Sequence, residues 1–173
     1  QVLIINGVNA LNNNATTFKN EVLAMQAVVS GTLSSYLPVA NSSRSDNSYS
    51  KEAVMNSTNS IDMQTWRIDY DYLKTMGMEL AAGRNFSKEY GTDSSAIIIT
   101  ETTAKLLGYT DAIGKMLYLP SGNGAGSAST ALKIIGVLKD FHFESLHNKL
   151  GPLCMVLGDK ASLASFKIEA ANA

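Results

Sequence analysis

The chain has 173 residues, a formal charge of −1, a pI near 6.1 and 45% apolar residues. That length supports one compact domain or two small lobes, and that composition supports a packed core rather than disorder. Lys and Arg are dispersed (Lys19, Arg44, Lys51, Arg67, Lys74, Arg84, Lys88, Lys105, Lys115, Lys133), with no basic stripe to neutralise phosphates or a charged membrane surface, so nucleic acid is not expected as a partner.

Cys154 is the single cysteine, which rules out an internal disulfide. No run of about 18 apolar residues occurs, so no helical membrane span is expected. No signal peptide is visible. The chain opens directly in Val2-Leu3-Ile4-Ile5 and stops at Ala173, and both ends are expected to lie inside a longer native chain.

In chain order, Val2 to Asn6 reads as a buried strand closed by Asn6-Gly7. Asn12 to Asn14 reads as a helix entry capped by an Asn side chain. From Ala15 to Gln26, Phe18, Val22 and Met25 recur at i, i+4 and i+7 and predict a helix with one apolar face. A strand over Val28 to Leu37 ends at Pro38. Residues 40–60 are rich in Ser and Asn and read as a long loop or a weak hairpin.

Ile61 to Ile68 alternates as a strand. Asp69 to Met76 predicts a short helix stopped by Gly77. Met78 to Ala82 is a strand, with a turn at Gly83-Arg84-Asn85. Ser95 to Thr100 contains Ile97-Ile98-Ile99, a β-branched run suited to a buried strand. Thr100 caps a short helix that runs to Leu107 and stops at Gly108. Asp111 to Lys115 is a tight turn. The strands Met116 to Leu119 and Leu132 to Lys139 form a hairpin across a Gly/Ser/Ala loop at 121–130. Leu153 to Leu157 and Ser165 to Ala170 are further strands. Strands interleaved with short helices and hairpins predict an α+β fold with a mixed sheet.

The sequence offers little chemistry. His142, Glu144 and His147 are the nearest approach to a metal site, but His142 and His147 are five apart rather than at the i, i+4 spacing of a helical zinc site, and a strand end with Phe141 and Phe143 inward is the better reading. No Gly-x-Ser-x-Gly elbow supports a hydrolase. Cys154 sits in the apolar run 153–157 and reads as a buried, inert thiol. Residues 122–127 and Ile113-Gly114-Lys115 lack the strand-to-helix setting and flanking residues of phosphate-binding loops. Trp66, Tyr70 and Tyr72 read as a core anchor, with a ligand-binding cluster as the alternative. No catalytic, cofactor-binding or metal-ligating residue is therefore assigned, and no cofactor is expected.

Five segments together carry a resemblance. They are Tyr70 to Leu80, Ala82-Gly83-Arg84-Asn85-Phe86-Ser87, Ala96 to Ala104, Asp111 to Lys115, and Ile135 to His147. In order and spacing they resemble the periplasmic core domain of MacB/FtsX-type ABC transporter permeases, in the variety common in Bacteroides-like bacteria. The resemblance implies an extracytoplasmic domain on the periplasmic side of the cytoplasmic membrane, set between transmembrane helices of a membrane-embedded native chain.

It also implies a porter-like α/β lobe (about 1–60 with 160–173) and a mostly-β, Sabre-like lobe (about 61–159). The implied function is to transmit conformational change and contact substrate or partner proteins during ATP-driven export of drugs, peptides or lipoproteins. The implied partners are a cytoplasmic ATPase, reached through the transmembrane part, and a periplasmic adaptor or substrate protein. The alternative reading is a periplasmic ligand-binding or sensor module.

Overall fold

The computed structural model describes residues 1–37, 45–120, 129–141, 151–158 and 161–169. Their strands are β1 (Val2–Asn6), β2 (Val28–Ser34), β3 (Asp46–Ser50), β4 (Ser60–Ile68), β5 (Leu80–Gly83), β6 (Ala96–Thr100), β7 (Met116–Pro120), β8 (Ser129–Leu138), β9 (Leu153–Leu157) and β10 (Leu163–Ile168). Their α-helices are α1 (Ala15–Leu23), α2 (Tyr72–Met76) and α3 (Glu101–Leu106). The fold is α+β with a mixed sheet, as expected.

The sheet runs β1-β10-β2-β4-β3-β7-β8-β6-β9, and β9 returns to pair with β4 in parallel, Gln64 to Ile68 against Leu153 to Leu157. The six strands β4, β3, β7, β8, β6 and β9 therefore close into a small barrel. Its loosest seam is β3 to β7, a single residue pair, Ser50 with Tyr118. Closure pairs each of these six strands on both sides and leaves β5, which pairs only with β8, as an edge.

Alternation along the barrel strands sorts the core into two faces. Tyr49, Met63, Ile97, Ile99, Leu117, Ile134 and Cys154 form the interior, together with Ala104 and Leu107 from α3 and the residue following it. The alternate residues Trp66, Ile68, Ala96, Ile98, Leu153 and Met155 point outward beneath a second cluster with Tyr36, Tyr72, Leu73 and Phe86.

β5 adds to β8 of the barrel, antiparallel from Leu80–Leu138 to Gly83–Gly136, and the last three strands form a separate section, β1-β10-β2, all antiparallel. α1 packs Phe18, Val22 and Leu23 over it against Phe166, Ala164 and Leu33. The approach is close at Gly31, where a Cβ would fall 2.5 Å from the Phe166 ring. This section meets the barrel through one ladder pair, Ser34 with Ile68.

Several local signals act as expected. Gly77 (φ 70) and Gly108 (φ 73) end helices in the left-handed conformation. The Thr100 hydroxyl accepts the backbone N–H of Thr103 and caps α3. The serine- and asparagine-rich stretch contains β3, which forms a hairpin with β4 from Asp46–Gln64 to Ser50–Ser60.

Three expectations are corrected. β1 is a strand but not a buried one: it is the outer strand of its section, and Val2, Leu3 and Ile4 remain 48%, 46% and 39% exposed. No Asn side chain caps α1, because Asn14 makes no such hydrogen bond and the chain enters through a 3₁₀ turn kinked at Asn12 (φ 48). α1 also stops at Leu23, short of Met25, which is exposed.

Candidate functional site

Where β2 and β4 part, a charged knot continues the connection between the three-stranded section and the barrel. At its centre is Asp69, immediately after β4. Its Oδ2 accepts from Lys19 Nζ at 2.7 Å and from the Leu33 backbone N–H at 2.9 Å. Its Oδ1 accepts from the Thr32 hydroxyl and from the Asp71 backbone N–H at 3.1 Å. The Asp69 N–H in turn donates to Leu33 O at 3.1 Å. The carboxylate thus takes the place of the next rung of the ladder after Ser34 and Ile68, and binds backbone groups that would otherwise be left unpaired.

Lys19 completes the knot. It sits on the same stripe of α1 as Ala15, Phe18 and Val22, and its side chain is only 8% exposed. A buried ammonium requires anionic partners. It has two, Asp69 at 2.7 Å and Asp71 at 2.8 Å. Burial alone would lower its pKa, but the hydrogen bonds to both carboxylates outweigh burial and hold it above the ordinary lysine value. Charge-assisted bonds in a partly buried setting are directional, so the knot fixes how α1 and β2 stand against α2.

Around it the contact is aromatic. Tyr36, just beyond β2, stacks on Trp66 of β4, and Trp66 meets the rings of Tyr72 and Phe141 edge-on. The Tyr72 hydroxyl donates to Tyr36 O at 3.2 Å, and burial pushes the Tyr72 phenol far above its ordinary pKa. Trp66 and Tyr72 are wholly buried, which favours the core reading of the aromatic trio. Tyr70 is only half-buried and borders a cleft.

The motif at 82–87 is a second charged scaffold. Gly83 adopts φ 76 with its α-carbon against β8, where a Cβ would fall 2.2 Å from Ile135 O. This sharp turn places the Arg84 guanidinium bidentately on Asp93, at 2.7 and 2.8 Å, and 3.9 Å from the Tyr90 ring centre. Asp93 is 1% exposed and also accepts the Ser87 N–H. The Arg84 hydrogen bond, opposed by burial, holds the Asp93 carboxyl below its ordinary pKa.

Inside the barrel, Cys154 Sγ lies 3.6 Å from Thr65 Oγ1, which is 3.0 Å from the Tyr49 hydroxyl. Burial pushes the thiol up to about 11, so it is protonated and shielded at neutral pH. His142, Glu144, His147 and the glycine loop at 122–127 lie outside the described residues. Among the described residues, no group of three or more His, Cys, Asp or Glu could hold a metal ion, and no helix is long and apolar enough to cross a membrane.

The comparisons with known proteins agree with this architecture. The sequence model described as "MacB-like periplasmic core domain" matches residues 2–159. The chain belongs to this family. The MacB-like domain also superposes on the periplasmic region of MacB from Actinobacillus actinomycetemcomitans, with a TM-score of 0.63 and 14% identity over 98% of this chain and 74% of that one.

The extracellular domain of the noncanonic ABC-type transporter YknZ from Gram-positive bacteria gives a TM-score of 0.59 and 17% identity over 89% of this chain and 72% of that one. At these identities the likeness is one of fold. No curated protein sequence matches the chain. The MacB-like domain is thus an extracytoplasmic domain of an ABC transporter permease, a family whose members work with an ABC ATPase in the membrane.

Proposed function

We propose that the MacB-like domain relays conformational change from the membrane part of its permease to a substrate or adaptor protein outside the membrane, and that it does so without catalysis of its own. One observation carries this reading. β1 lies along β10: Val2 pairs with Lys167, and the Ile168 backbone N–H donates to Gln1 O at 2.9 Å. With β10 paired to β2 on its other side, the three strands form one continuous antiparallel unit that would move together.

We further propose that this section and the barrel are the two moving lobes. β3 goes with the barrel, because it pairs with both β4 and β7. A displacement of this section would pass through β2 to Ser34, Ile68 and the Asp69 knot, and there turn the barrel. The buried aromatic contacts favour discrete arrangements over continuous bending.

The test uses the full permease with its ATPase in nanodiscs. Spin labels are placed at Val54→Cys, 70% exposed in the β3–β4 connection of the barrel, and at the exposed Lys167→Cys of the other lobe. Cys154 is fully buried and does not compete for label. The interlabel distance is expected to differ between nucleotide-free and ATP-trapped states. An unchanged distribution in a transport-active sample would reject the relay.

A further inference from the structure

A cleft of 400 Å³ opens beside the knot. Its apolar floor is formed by Leu157 from the barrel and the edge of Leu33 from the three-stranded section, with the buried Ile68 beneath them, Tyr70 and Lys88 at one wall and Thr16 of α1 at the other. The volume falls in the range of small-molecule sites, which combine apolar linings with a few polar groups.

The charges in and around it are unequal in availability. Lys19 and Asp69 face the cleft but are spent on each other, with Asp71 beside them, and each Asp69 oxygen already accepts two hydrogen bonds. Lys88 is different. It is exposed, its Nζ lies 5.7 Å from the Tyr70 ring centre, and no described carboxylate is within bridging distance. An ammonium with no counter-ion among the described residues, set beside an apolar floor, is complementary to a molecule with an anionic head and an apolar tail.

We propose that this cleft is a binding site for small amphipathic carboxylates, with the head on Lys88 and an alkyl tail over Leu157, Tyr70 and the edge of Leu33. Binding itself does not depend on the relay reading. If the lobes do move, a ligand whose walls come from both would favour one arrangement over the other.

The test is a titration of the isotope-labelled domain with sodium octanoate, followed by amide chemical shifts. Saturable shifts are expected at residues 33, 68, 70 and 157. Lys88→Gln should weaken binding about five-fold, as for a partly exposed charge contact. Thr16→Trp, at an exposed position of α1, should block the cleft without touching the core.

1-Octanol, with the same tail and no charge, should bind at least about five-fold more weakly than octanoate. A fatty acid and a peptide ending in an aliphatic residue share this head and tail, so N-acetyl-Leu-Leu is titrated in parallel, and the tighter of the two identifies the source. Equal affinity for octanol and octanoate, unchanged affinity in both variants, or shifts scattered away from the cleft would each overturn the proposal.

Discussion

The ring of Tyr36 lies over the indole of Trp66, 4.5 Å between centroids and 19° from parallel. Tyr36 follows the last strand of one section and Trp66 belongs to the barrel, so the stack bridges the two where their backbone ladder has narrowed to one pair. Truncating it should loosen the bridge and leave a void. Tyr36→Ala is expected to destabilise the domain by about 3–4 kcal/mol. Trp66 is the chain's single tryptophan, so its emission reports directly on this contact in denaturant titrations. The wild type should emit in the blue and shift to the red in one step. A loss below about 1 kcal/mol would mean the stack does not join the sections.

The knot predicts an asymmetry between its two halves. Asp69→Ala leaves the Lys19 ammonium buried with only the half-exposed Asp71 and releases the Thr32 and Leu33 donors, at a cost of about 3–4 kcal/mol. Lys19→Met removes the cation but leaves Asp69 its bonds to Thr32, Leu33 and Asp71, at about 1–2 kcal/mol. Hydrogen exchange at the Leu33 amide should accelerate in the first variant far more than in the second. Equal effects would show that the ion pair, rather than the carboxylate's backbone bonds, holds the joint.

Gly83→Ala tests the turn against β8. The substitution places a methyl group 2.2 Å from Ile135 O at a positive φ, so both the clash and the backbone conformation oppose it. A loss of at least about 3 kcal/mol in urea unfolding is expected. Gly91→Ala, where a Cβ meets nothing within 4 Å, serves as the control and should be within about 0.5 kcal/mol of wild type.

Asp93 sets an acid limit. Its folded pKa lies below the ordinary carboxylate value of about 4, chiefly through the Arg84 hydrogen bond. The group therefore contributes stability at pH values above about 4 and loses it as pH falls through the depressed folded value. The stability gap between wild type and Asp93→Asn should be constant from pH 7 down to about 4 and shrink below that. A gap that stays constant to pH 2 would contradict the assignment.

Cys154 should resist alkylation. Its thiol is inside the barrel and titrates near 11, so iodoacetamide at pH 8 should modify it only as fast as the barrel opens. Rapid labelling of the native protein, at the rate seen in urea, would mean that the barrel is open in solution.

Much of this fold was legible locally. Gly77, Gly108 and Thr100 announce helix ends because each acts on the backbone within a few residues of itself. Ile97-Ile98-Ile99 reads as buried on both faces, and it is, with one face inside the barrel and the other beneath Trp66. Val2-Leu3-Ile4 is just as apolar and yet exposed, because an apolar run cannot say whether a neighbouring strand lies beyond it.

Barrel closure rests on Gln64 meeting Leu153, far apart in the chain, and leaves no local mark. The knot leaves only a faint mark in the sequence, where Lys19 is one of several dispersed charges. Its place on the stripe with Ala15, Phe18 and Val22 was the available signal, since a cation on an apolar face implies a carboxylate across from it.

The pairing of β1 with β10 has a consequence for folding as well as for architecture. Val2 meets Lys167, so β1 cannot dock until nearly all the sequence between them has been made, whereas the β3–β4 hairpin closes locally. The three-stranded section is therefore expected to assemble after that hairpin.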